Sequence, residues 1–240
     1  ESKRDLMDGV VERLLDEAFT LAGAAHRGPS FVDIPMDEFF LDGPITHQST
    51  GIDTSVREPD SDDIAAIAKL ITAAKRPVIV LGSDVWMDRA EVEALRFVEE
   101  LGFPSIANGM GRGIVPGGHP NLVTKARSKA FGAADLVIVV GTPLDFRLGF
   151  GRFGGREGND PATTVHIADT PGQISPHADL GASASGSLGL IFDQIVAAVQ
   201  SAPTRPNWTP WLEELQNVVA GVHETDKLIL NSEASPAHPA

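Results

Sequence analysis

Two continuous apolar runs organise the chain. Val78-Ile79-Val80-Leu81 follows Pro77 and stops at Gly82, and Leu136-Val137-Ile138-Val139-Val140 follows Asp135 and stops at Gly141. β-branched residues with no polar alternation suit strands covered on both faces. Thr163-Thr164-Val165-His166-Ile167-Ala168-Asp169 reads as a third strand, Pro104-Ser105-Ile106-Ala107 as a short one, and Ala178-Asp179-Leu180-Gly181-Ala182 as a weaker one. Between them the apolar positions recur every three or four residues, the period of a half-buried helix. Ile64, Ile67, Ala68, Ile71 and Ala74 form one such stripe, opened by Asp60 or Ser61 as a cap with acidic residues at its positive end. A second runs from Asp88 to Leu101 and is closed by Gly102 in a left-handed cap. Further helices are predicted from Lys125 to Ala133, Ser187 to Gln200 and Thr209 to Leu230, the last with Trp208 and Trp211 packed onto the preceding domain.

Alternating strands and helices imply an α/β fold, a doubly wound parallel sheet of five or six strands with right-handed crossovers. Upstream the pattern differs. Asp5 to Ala25 is amphipathic through Leu6, Val10, Leu14, Ala18 and Leu21, and Gly28-Pro29 stops it. Ser30-Phe31-Val32-Asp33-Ile34 reads as a short strand, followed by a polar stretch with Gly43, Pro44, Gly51 and Pro59. The expected organisation is a terminal piece of one domain over 1–40, a linker over 41–60, a nucleotide-binding-like domain over 61–202, and a helix with a linker over 203–240. The chain opens without Met, directly into a helical pattern. That predicts a boundary inside a longer protein.

Composition removes several classes of function. The net charge is −14, from 19 Lys+Arg against 33 Asp+Glu. That balance argues against nucleic acid and against an anionic membrane surface. Cysteine is absent, which excludes disulfides, thiolate metal sites and cysteine nucleophiles. No apolar run reaches the ~18–20 residues that span a bilayer, and a cytoplasmic protein is expected.

In an open parallel sheet, ligands bind beyond the carboxyl ends of the strands, where the strand order reverses. Four loops occupy such ends: Gly82-Ser83-Asp84, Asn108 to Gly113, Gly141 to Arg147, and Asp169-Thr170. Glycine admits a phosphate close to the backbone, and Asp169 is placed to bind a ribose hydroxyl pair. Arg112, Arg147 and Arg152 could offset pyrophosphate charge, although Asp145 and Arg147 could instead pair with each other. Met110 could cover a flat ring or simply fill a gap. The G-x-G-x-x-G fingerprint, the P-loop and the G-x-S-x-G elbow are all missing. His119 and His166 stand isolated and read as structural.

The order of these segments resembles the thiamine-diphosphate-dependent enzymes. Ala18-Phe19 through Arg27-Gly28-Pro29-Ser30-Phe31-Val32-Asp33-Ile34-Pro35-Met36-Asp37 is similar to the end of their pyrimidine-binding domain. Ala74 to Gly82, Asn108 to Gly113 with His119-Pro120, and Ala134 to Gly141 resemble their central domain, and His238-Pro239 the start of the diphosphate-binding domain. Gly141-Thr142-Pro143-Leu144-Asp145-Phe146-Arg147-Leu148-Gly149-Phe150-Gly151 looks most like the acetolactate synthase branch.

That resemblance implies an FAD of structural role, held by Gly82, Gly109, Met110, Gly111, Gly141, Asp145, Arg147, Asp169 and Asp179. Pro143 stands where flavin-binding members usually have Arg, and related branches hold ADP in the same cleft or leave it without a cofactor. It also implies that catalytic residues, thiamine diphosphate and magnesium belong to amino- and carboxyl-terminal catalytic domains of the parent. The parent is expected to be a homo-oligomer, and this part alone to be inactive. The competing reading is a free-standing adenine-dinucleotide-binding module without catalysis. Such a module has no reason to carry Val32-Asp33-Ile34-Pro35. An NAD-dependent deacylase, the third reading, would need a catalytic histidine beside a cofactor loop.

Overall fold

The computed structural model describes residues 10–40, 47–49, 51–155, 158–204 and 206–231. The chain divides into two compact units, Glu1–Val56 and Arg57–Ala240.

In the first unit, helix α1 spans Val10–Gly23 and a single turn, α2, spans Met36–Phe39. No residue of α1 is buried. Its acidic face is engaged instead: the His47 amide donates to Glu12 Oε2 (2.9 Å), and His47 Nε2 meets Asp16 Oδ2 (3.1 Å). The strand expected over Ser30–Ile34 does not form. Those residues have no strand pairing, and Phe31 is 91 % exposed. A short extended segment becomes a strand only when a neighbour takes its backbone hydrogen bonds.

The second unit is built on five parallel strands: β1 Pro77–Leu81, β2 Ser105–Ala107, β3 Leu136–Val140, β4 Thr163–Ala168 and β5 Ala182–Ser185. Their spatial order is β2-β1-β3-β4-β5. Every residue of β1 and β3 is buried, as their unbroken apolar composition requires. Alternate residues feed opposite faces: Ile79 and Leu81 with Ile138 and Val140 on one, Val78 and Val80 with Val137 and Val139 on the other. The fifth strand lies later than the Ala178–Ala182 segment expected from sequence. Just before it, the Gly181 amide donates to the Thr164 carbonyl (2.9 Å), and a Cβ on Gly181 would come within 2.3 Å of Thr163 Cγ2.

Helices α3 (Ser61–Ala73), α5 (Glu91–Leu101) and α7 (Leu188–Gln200) cover the first face. Asp60, rather than Ser61, caps α3, its carboxylate accepting from the Asp62 amide. The helix expected from Asp88 begins at Glu91 as α5, after a separate turn, α4 (Asp84–Met87), and Gly102 closes α5 in the left-handed conformation (φ 70°). Phe97, Phe103, Phe192 and Trp208 form a continuous chain of ring contacts there.

The opposite face is covered by α6 (Arg127–Ala133) and by α8 (Thr209–Leu230), through Trp211 and Leu215. Both tryptophans are tied to the start of β1: Trp208 Nε1 donates to the Ala74 carbonyl (2.9 Å) and Trp211 Nε1 to the Pro77 carbonyl (3.0 Å). No helix among the described residues is long and apolar enough to cross a membrane.

Candidate functional site at the strand switch point

Strand order reverses between β1 and β3, since the chain leaves β1 for β2 on one side and returns to β3 on the other. Two connections therefore diverge above this point and open a crevice at the carboxyl ends. The Gly82 and Gly141 turns form its floor. A Cβ on Gly82 would sit 2.3 Å from the Gly141 oxygen and 2.4 Å from Thr142 Cβ, so any side chain would force the two turns apart. Gly111 is equally constrained, 2.1 Å from the Leu81 oxygen. These glycines let strand ends and loop pack against one another, a role sequence alone does not separate from phosphate approach.

The second glycine loop folds over this floor. The Asn108 amide donates to the Leu81 carbonyl (2.9 Å), and the Met110 amide to Ser83 Oγ (3.3 Å). Gly109 adopts φ 55°, and the Met110 side chain stays 54 % exposed at the mouth. Asn108 Nδ2 reaches across to Thr142 Oγ1 (3.1 Å). Arg127 then ties the two loops, donating to Asn108 Oδ1 (3.3 Å) and to the Arg147 carbonyl (2.8 Å). Burial draws the Arg127 pKa down, and the nearby Asp145 charge raises it. Asn108, Thr142 and Arg127 were not among the expected site residues. Their only sequence signal is position, beside a glycine turn or one turn into the following helix.

Asp145 and Arg147 pair with each other. Asp145 Oδ2 accepts from Arg147 Nε (2.9 Å) and from its terminal nitrogen (2.6 Å), and Oδ1 takes the Arg147 amide (2.8 Å). The side-chain bond from Arg147 is the main reason the Asp145 carboxyl lies below its ordinary pKa. Asp169, at the end of β4, is 1 % exposed. Its carboxylate lies within 4.8 Å of that of Asp84, whose amide donates to the Gly141 carbonyl (3.0 Å). Asp179 is exposed on the β4–β5 connection and makes no hydrogen bond or ion pair among the described residues. Gly82, Gly109, Met110, Gly111 and Gly141 thus meet in one place. Asp145 and Arg147 reach it through Arg127, Asp169 through Asp84, and nothing joins Asp179 to it.

One histidine holds the β3 turn. His166 is 1 % exposed; its Nδ1 accepts from the Ser175 amide (3.1 Å) and its Nε2 faces the Thr142 carbonyl (3.1 Å). An amide donor at Nδ1 requires a lone pair there, so the proton is on Nε2 and is donated to Thr142. Burial pushes this imidazole's pKa down, the Thr142 bond opposes that, and His177 adds to it. His177 Nε2 lies 2.9 Å from the Leu144 carbonyl, extending the clamp along the same turn.

A family model described as thiamine pyrophosphate enzyme, central domain, matches residues 64–195. The chain belongs to the thiamine pyrophosphate enzymes, and these residues are their central domain. The acetolactate synthase large subunit IlvG of Mycobacterium tuberculosis is 35 % identical over 235 residues, 94 % of this chain and 40 % of that relative. The 2-hydroxyacyl-CoA lyase 1 of Mus musculus is 31 % identical over 141 residues, 58 % of this chain and 24 % of the lyase. This thiamine pyrophosphate enzyme chain therefore spans about 40 % of the length of the synthase it matches. Its fold is shared with benzoylformate decarboxylase from Polynucleobacter necessarius, at a TM-score of 0.58 and 22 % identity over 85 % of this chain and 37 % of that one.

Proposed function

We propose that the chain is the central scaffold of an acetolactate synthase-like enzyme of the cytoplasm. The parent decarboxylates a 2-oxo acid and transfers the acyl equivalent to a second carbonyl compound. The observation that carries this is the 35 % identity to the mycobacterial synthase across 94 % of the chain. That stretch takes in residues outside the parallel sheet, which supports this reading over a free-standing adenine-dinucleotide module.

Thiamine diphosphate and magnesium supply the decarboxylation chemistry and are held by other domains of the parent, whose assembly is homo-oligomeric. The first unit supports such neighbours: Phe19, Phe31, Met36, Phe39 and Phe40 are 69–91 % exposed, large apolar side chains that an adjoining domain would cover. Val32-Asp33-Ile34-Pro35 stays the end of the preceding domain in this reading. The His238-Pro239 segment lies outside the described residues.

The cleft at the switch point takes an adenine nucleotide, FAD or ADP, in a structural role. Gly82, Gly109 and Gly141 would hold its phosphates and Met110 a ring face. The fit is partial. Arg147 is already engaged by Asp145, and the Asp169 carboxylate is buried beneath the turns. A pyrophosphate would therefore be met mainly by backbone amides. A second reading, a 2-hydroxyacyl-CoA lyase, is favoured by the 31 % identity to the mouse lyase, over a shorter stretch.

Two measurements test the proposal. The chain incubated with pyruvate, thiamine diphosphate and magnesium is expected to yield no acetolactate, and a measurable yield refutes the scaffold role. Denaturing the protein is expected to release a nucleotide. A flavin band identifies FAD, adenine absorbance alone identifies ADP, and release of nothing from protein saturated with either overturns the cleft assignment.

A further inference from the structure

A further pocket borders the second glycine loop. It has a volume of about 780 Å³ and opens beyond the end of β2, between the Ala107–Lys125 segment and helix α8. Its apolar lining includes Val115, Pro120, Leu122 and Val219. Every ionisable lining residue is basic: Arg112, His119, Lys125 and His223. In a chain of net charge −14 the absence of any carboxylate from this wall is unexpected.

Two of these groups are committed. Lys125 pairs with Asp226, and His119 Nε2 lies 3.4 Å from Glu99. The Arg112 and His223 side chains have no hydrogen bond or ion pair among the described residues, and they are contributed by the loop and the helix respectively. A free guanidinium at the mouth of an apolar cavity suits a ligand with an anionic head and a hydrocarbon body.

Gly117 points the same way. Unlike Gly82 and Gly111 it faces no neighbour, since a Cβ there would meet nothing within 4 Å, and its φ lies outside the left-handed region. Neither packing nor backbone conformation calls for glycine at 117, yet it lines the pocket, where a side chain would occupy ligand space.

We propose that this pocket binds a small organic anion with an apolar body, its carboxylate or comparable head held by Arg112 and His223 and its chain lying along Val115, Leu122 and Val219. The proposal does not rest on the nucleotide assigned to the switch-point cleft or on the parent's reaction. The probe is octanoate, with 1-octanol as its uncharged counterpart. Each is titrated into the 240-residue chain while the His223 ring resonance is followed, assigned by its loss in His223→Asn.

Octanoate is expected to shift that resonance and to bind about tenfold more tightly than octanol, the scale of one charge-assisted contact. Arg112→Ala should weaken octanoate about tenfold and leave octanol unchanged. Gly117→Leu should abolish binding of both while the melting temperature moves by less than about 2 °C, because that site is open and unstrained. The proposal is overturned by equal affinity for octanoate and octanol, by undiminished binding to folded Gly117→Leu, or by no saturation below about 10 mM.

Discussion

His166 offers the sharpest test of how the switch-point turn is held. Replacing it by Leu keeps an apolar side chain in the buried space but removes the partners of the Thr142 carbonyl and the Ser175 amide. Each orphaned buried group costs roughly 1–3 kcal/mol, so His166→Leu should destabilise the second unit by about 2–4 kcal/mol at pH 7.5. The pH dependence separates this from a simple packing defect. Burial holds the folded imidazole's pKa below its ordinary value of 6.5. Below about pH 6.5 the unfolded chain takes up a proton that the folded chain refuses, so stability is intact above that pH and falls beneath it.

The slope is at most about 1.4 kcal/mol per pH unit for this one group. Between pH 7.5 and 5.5 the native protein should therefore lose up to about 1.4 kcal/mol that His166→Leu, lacking the imidazole, does not lose. Titrations shared by both proteins cancel in the comparison. Urea unfolding at the two pH values, followed by tryptophan fluorescence, measures the gap. It should narrow on acidification, and a gap that is constant or wider at pH 5.5 refutes the neutral, doubly hydrogen-bonded histidine.

Three further outcomes are expected. Gly82→Ala sets a methyl against the Gly141 carbonyl and Thr142 Cβ, neither of which is the far end of a flexible side chain that could yield. A loss of roughly 1–3 kcal/mol or more is expected in thermal melts, and an unchanged melting temperature contradicts the close approach of the two turns. Phe97→Ala empties the junction of Phe103 and Phe192, whose ring centres lie 5.2 and 5.6 Å away; denaturant titration should show a loss of about 3–5 kcal/mol. Asp88 receives Arg57 at 2.9 Å and the Leu188 amide at the start of α7 at 2.6 Å. Asp88→Ala should cost roughly 2–4 kcal/mol and Asp88→Asn clearly less, and equal losses in the two variants would contradict the bond to Leu188.

The strands that sequence revealed are those whose covering is written into their composition. β1 and β3 could be read residue by residue because a buried strand flanked by two helical layers tolerates nothing polar. Ala182–Ser185 could not, because a small-residue edge strand leaves no hydrophobic signature and its place is set by pairing with β4. Ser30–Ile34 shows the opposite failure: its local pattern favours a strand, and no partner takes its hydrogen bonds. At the site, Gly82 and Gly141 were legible because each ends an apolar run. Their service to protein packing was not, since a contact such as that of Gly82 with Gly141 depends on parallel register across residues sixty apart. His166 looked isolated for the same reason. Its two partners come from separate loops, each placed only when β3 and β4 align. The basic pocket needed the return of α8, whose lining residues lie about a hundred positions from the loop they face.

The anchoring of α8 also gives the molecule a divided optical signature. The chain has three tryptophans and no tyrosine, so emission excited at wavelengths that phenylalanine does not absorb comes from three indoles alone. Trp208 and Trp211, each 4 % exposed, are fixed at the root of β1, whereas Trp86 is 38 % exposed and lies 4.0 Å from the Cβ position of Gly113 in the second glycine loop. A water-soluble quencher such as iodide will reach the third and spare the first two. The quenchable, red-shifted fraction therefore reports on the mouth of the sheet and the protected, blue-shifted fraction on its base, so one emission spectrum distinguishes an event at the ligand-binding end from a loosening of the scaffold.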